Sequence, residues 1–104
     1  MKKMYHKLVR DKIPQIIESQ GKTCVTEILA EEEYLSMLDA KLSEELAEYQ
    51  ESKSLEELAD LLEVMQAVVS ARGYIWQELE AVRQEKFQER GGFADRILLK
   101  EVIE

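Results

Sequence analysis

One cysteine, one histidine and one proline are all that this 104-residue chain holds of the residues that most often staple, ligate or break a small fold. A lone Cys24 excludes a disulfide framework, and with His6 as the single histidine no zinc-type ligand set exists. Cys24 reads as a small buried residue and His6 as a structural or surface one, since neither has a visible catalytic partner. No apolar run approaches the length needed to span a bilayer. The basic start, Lys2 and Lys3, is not followed by an apolar h-region, so it does not read as a signal peptide. A reduced, cytoplasmic location is the expectation. Positive charge is also short: 14 Lys and Arg against 22 Asp and Glu leave a net charge of −8. Such a chain is a poor binder of nucleic acid or anionic membrane. There is no internal repeat, low-complexity run or linker, and the length fits one domain, residues 1–104.

What the chain has in abundance is acid and apolar residues at helical spacing. The centre is Lys41 to Gln66, KLSEELAEYQESKSLEELADLLEVMQ. Leu35, Leu38, Leu42, Leu46 and Tyr49 follow spacings of three and four, one apolar stripe of a helix. With Leu42 at zero and about 100° per residue, Glu45 falls near −60°, Glu48 near −120° and Glu44 near −160°. Glu45 and Glu48 thus share one shoulder of the stripe, and Glu44 points further from it. After the polar break Glu51-Ser52-Lys53-Ser54, a second helix carries a main stripe of Leu55, Leu58, Leu62, Met65 and Val69. Leu61, Val64 and Val68 widen it to one side. Glu57 and Asp60 fall on that apolar flank, where lone ionised carboxylates are costly to bury. A hard divalent cation shared with Glu45 and Glu48 would offset the cost, because Mg²⁺ takes oxygen ligands.

Plainer readings fit the same residues. Ser54-Leu55-Glu56-Glu57 has the form of a capping box, with Ser54 as N-cap and Glu57 at N3. Acids also suit a helix's first turn, and Glu44, Glu45, Glu48 and Glu51 have the pattern of a solvated face.

Around this centre the expected elements are all-α. Asp11 is placed to cap a short helix with Pro14 in its first turn and Ile13, Ile16 and Ile17 on one face, closed by Gly21. Thr23 to Ile28 reads as a short extended segment. Long helices follow from about Ala30 to Glu51, from Leu55 to Arg72 with Gly73 as stop, and from about Tyr74 to Arg90 before Gly91-Gly92. The tail, 96–103, is apolar with β-branched ends and reads as a second extended segment or a short helix. The Leu55–Arg72 helix is apolar over too wide an arc for a lone small bundle, which points to a second copy as its cover.

The pattern E-E-x-x-E followed by E-x-x-D on consecutive helices resembles the all-α nucleoside triphosphate pyrophosphohydrolase superfamily, which includes the MazG proteins and phosphoribosyl-ATP pyrophosphohydrolase. Tyr5-His6-Lys7-Leu8-Val9-Arg10-Asp11-Lys12-Ile13-Pro14 resembles the N-terminal signature of a small MazG-like branch, and Lys86 to Leu98, KFQERGGFADRIL, its C-terminal one. The eight residues 49–56 between Glu48 and Glu57 are fewer than in standard MazG proteins. That departure bears on nucleotide preference more than on the metal ligands.

The resemblance implies a MazG-like bundle completed as a homodimer or a dimer of dimers. It implies Mg²⁺-dependent (or Mn²⁺-dependent) cleavage of a nucleoside triphosphate between its α- and β-phosphates, a house-cleaning hydrolase. Glu45, Glu48, Glu57 and Asp60 would hold the metal, and Glu44 or Glu45 would orient water or take its proton. Arg10, Lys86, Arg90 and Arg96 would meet the phosphates, with the Gly91-Gly92 turn allowing close backbone approach. Phosphoribosyl-ATP is the alternative substrate. A non-catalytic acidic helical module, its apolar surplus serving as a protein-binding groove, is the rival from another class.

Overall fold

The computed structural model describes residues 2–104 and contains four helices: α1 (Ile13–Ser19), α2 (Glu31–Ser52), α3 (Leu55–Ala71) and α4 (Trp76–Arg90). Among the described residues there is no strand, so 23–28 and 96–103 are irregular chain without a sheet partner. Their β-branched residues had no adjacent edge to pair with. Asp11 does not cap α1. Lys12 occupies the N-cap without a side-chain bond, and Pro14 sits within the first turn. Gly21, at φ 83°, follows the last turn and returns its N–H to the Glu18 carbonyl, as a left-handed glycine after a helix does.

α2 and α3 form an antiparallel hairpin joined by Lys53 and Ser54 alone. Lys53 turns the chain in the left-handed region, φ 59°, and its N–H reaches the Tyr49 carbonyl at 2.7 Å. Three glutamates, Glu31, Glu32 and Glu33, face the positive end of the α2 dipole. At the open end of the hairpin, Arg72 Nη2 meets Asp39 Oδ2 at 2.8 Å. α4 makes few contacts with α3 and none with α2.

The face of α3 that meets α2 is the flank, not the main stripe. Leu61, Val64, Ala67 and Val68 are half-buried, together with Glu57 and Asp60. Leu55, Leu58, Leu62 and Met65 are 37–82% exposed. α3 has two adjoining apolar arcs and α2 can cover only one. Packing the flank turns the two acids towards α2 and leaves the leucine stripe open. The result is a thin core in which Leu38, 5% exposed, is the one buried apolar residue among the described residues, and none of their side chains is fully buried.

Candidate metal centre

Two overlapping carboxylate groups meet in the hairpin. Glu44, Glu45 and Glu48 on α2 bring oxygens within 4.8 Å of one another, and so do Glu45, Glu57 and Asp60 across the two helices. Glu45 belongs to both. It is 7% exposed, and its Oε2 is buried without a hydrogen-bond partner. Glu57 Oε2 is buried and unpartnered too. Orphaned carboxylate oxygens of this kind carry an uncompensated desolvation cost. Both residues belong to the cross-helix group with Asp60, an all-oxygen donor set of the kind a hard cation takes.

The capping question also resolves at Glu57. The Ser54 hydroxyl accepts from the Glu57 N–H at 3.2 Å, so Ser54 is the cap. The other half of the box is missing, because the Ser54 N–H goes to Ser52 Oγ at 3.2 Å and not to the Glu57 carboxylate. Glu57's side chain is therefore free to face α2. Ser54→Ala should lower stability by about 1 kcal/mol in urea melts, whereas Glu57→Gln should leave the cap intact.

Cations of the chain lie around the cluster. Lys41, half-buried on α2, is 3.4 Å from Glu45 Oε1 and 3.7 Å from Glu44 Oε2. The segment before α1 crosses the hairpin, with half-buried Leu8 lining a small recess beside Met37, Ala40 and Lys41. From it Lys7 Nζ reaches Glu44 Oε1 at 3.0 Å, and Arg10 Nη2 reaches Asp60 Oδ1 at 2.7 Å. One arm thus grips an acid on each helix. The sequence put Arg10 forward to meet phosphates, and the structure pairs it with Asp60, which the sequence did not indicate. Lys7, like Arg10 and Lys12 a base in an acidic chain, was a candidate either for substrate phosphates or for ordinary pairing with the acids, and here it pairs with Glu44. Lys41 could have been found from its i,i+3 and i,i+4 spacing to Glu44 and Glu45.

The structure does not bring Lys86, Arg90 and Arg96 to these acids within one chain. All three are exposed, none is paired with a cluster carboxylate, and α4 does not touch α2.

Burial first, and the neighbouring Glu48 second, push the Glu45 carboxyl above the usual glutamate range. The hydrogen bond from Lys7 pulls Glu44 below it. Glu45 holds its proton more tightly folded than unfolded, so its contribution to stability is present at low pH and lost as pH rises through its raised pKa. Glu44 contributes above its unfolded pKa, and that contribution is lost as pH falls through its depressed value. The metal-free protein should therefore gain stability on acidification from neutrality and lose it again below the ordinary glutamate pKa of about 4.3. Thermal melts across that range should show the gain in wild type and not in Glu45→Gln.

No protein-family model and no solved structure matches the chain. It is similar to an uncharacterized protein of Mycolicibacterium smegmatis (strain ATCC 700084 / mc(2)155), 54% identical over 41 residues, which cover 39% of this chain and 42% of that protein. The match spans less than half of either chain.

Proposed function

We propose that this chain is a divalent-metal-dependent nucleotide pyrophosphohydrolase of the MazG-like kind, which cleaves a nucleoside triphosphate to monophosphate and pyrophosphate. The observation that carries this reading is Glu45, a buried carboxylate with an orphan oxygen, set among Glu48, Glu57 and Asp60 on two helices. These four residues would hold the ion, Mg²⁺ or Mn²⁺. When bound, the ion would polarise phosphate oxygens and lower the pKa of the attacking water. Glu44 is outside the cross-helix group and held ionised by Lys7. It is suited to orienting the water and taking its proton. Arg10, already at the cluster, is suited to meeting the phosphates once Asp60 is engaged, as a planar bidentate donor. The apolar stripe left open on α3 supports assembly as a homodimer, and Lys86, Arg90 and Arg96 would come to the site from a partner copy.

The test is a pyrophosphate-release screen over canonical and modified nucleoside triphosphates, with phosphoribosyl-ATP included, run beside melting curves with and without Mg²⁺. A cation bound only by the folded state raises the melting temperature. Mg²⁺-dependent stabilisation with turnover is the expected result. A melting curve indifferent to Mg²⁺ and Mn²⁺ would end the metal reading and leave the acidic interaction module.

A further inference from the structure

The chain has far more surface than a folded monomer of its mass. It exposes 9811 Å², where a compact 12.1 kDa monomer exposes about 6,000 Å². Its radius of gyration is 18.6 Å, against about 13 Å for a compact domain of this length. The excess, about 3,800 Å² per chain, is several times the roughly 800 Å² that each partner gives to a standard interface. The open stripe of α3 cannot supply this alone. A 17-residue helix is about 26 Å long and 10–12 Å wide, so one face offers only a few hundred Å². The largest further store of uncovered apolar surface is the tail beyond Gly92. Phe93, Ile97, Leu98, Leu99, Val102 and Ile103 are all at least 70% exposed.

We propose that residues 93–103 are an exchanged arm, which leaves its own chain and packs along the Leu55–Leu58–Leu62–Met65 stripe of a second copy. Each chain carries one stripe and one arm, both apolar and neither covered, so a two-fold axis satisfies both at once. Gly91, at φ 79°, gives the chain a corner from which the arm leaves α4. At about 3.3 Å per residue the eleven residues reach about 36 Å, longer than the α3 stripe. The arm also carries Arg96 towards the other copy. The proposal deepens the homodimer of the preceding reading and is independent of its metal.

Two variants of the full chain test it. Ile97→Asp/Leu99→Asp disables the arm and lies outside every helix, so circular dichroism should not change. Leu58→Asp/Leu62→Asp disables the stripe. Light scattering should give wild type about twice the chain mass of 12.1 kDa, and each variant alone at least a hundredfold weaker association. Mixing the two should restore a heterodimer, because the intact arm of one meets the intact stripe of the other. An arm variant that dimerises like wild type overturns the proposal and leaves a dimer held by α3. Variants that stay monomeric on mixing also overturn it, since an arm folded on its own stripe cannot be complemented. A monomeric wild type removes both the exchange and the homodimer. If the stripe variant fails to fold, hydrogen exchange on wild type decides. Amides 97–103 should be slow at concentrations where the chain associates and fast on dilution, and equal rates at both overturn the exchange.

Discussion

Glu45→Gln and Asp60→Asn should each bring Mg²⁺-dependent pyrophosphate release to background, a loss of at least about a hundredfold. The metal-free fold should stay as stable as wild type or more so in Glu45→Gln, and within about 1 kcal/mol of wild type in Asp60→Asn, where the pair with Arg10 is weakened. Without a cation, the two side chains belong to a group of carboxylates that repel one another. At Glu45 burial adds a cost for the ionised form, and its Oε2 has no donor to offset it. Replacing the charge by an amide of the same shape relieves both. Added Mg²⁺ should raise the melting temperature of wild type and not of either variant. Glu51 and Glu63, outside both groups, should behave as wild type when made Gln. Full Mg²⁺-dependent activity in Asp60→Asn would show that the cross-helix ligand set is wrong.

Arg10→Ala should tighten Mn²⁺ binding by about tenfold and slow turnover in the same protein. In the metal-free chain the guanidinium holds Asp60 at 2.7 Å, so an incoming cation competes with it for that carboxylate. An exposed pair of this kind is worth up to about 1 kcal/mol. Removing a screened, exposed positive charge next to the site adds a few tenths more, and about 1.4 kcal/mol is tenfold in affinity. Titration calorimetry of wild type and variant reads the sign directly. An Arg10 that only steadied Asp60 for the ion would give the opposite result, weaker binding in the variant. Lys7→Ala should shift affinity in the same direction by less, because its partner Glu44 lies outside the cross-helix group.

The helices were legible because their spacing and stop signals agree. Ser54 caps α3, Gly73 follows it, and Gly91 closes α4. The acids were legible for the same reason, since Glu45, Glu48, Glu57 and Asp60 share faces at helical spacing. Which arc of α3 meets α2 was not. Periodicity fixes angles within one helix and says nothing of the roll between two, so the leucine stripe and its flank were equal candidates for the α2 contact. The packing chose the flank, Leu61, Val64 and Val68. The ion pairs of Lys7 and Arg10 depend on contacts 37 and 50 residues apart, which no local pattern encodes.

The corner between α2 and α3 bears on how such a chain can change in length. Connecting loops ordinarily absorb insertions, but Lys53 and Ser54 leave no slack. One extra residue taken up by α3 would slide it by about 1.5 Å and roll it by about 100°. That roll would carry Glu57 and Asp60 away from Glu45 and turn a different arc against α2. A longer insertion that forms a loop of its own would free the helix to keep its roll. Viable length changes at this corner should therefore come in blocks of several residues, while the irregular 22–30 connection can drift one residue at a time.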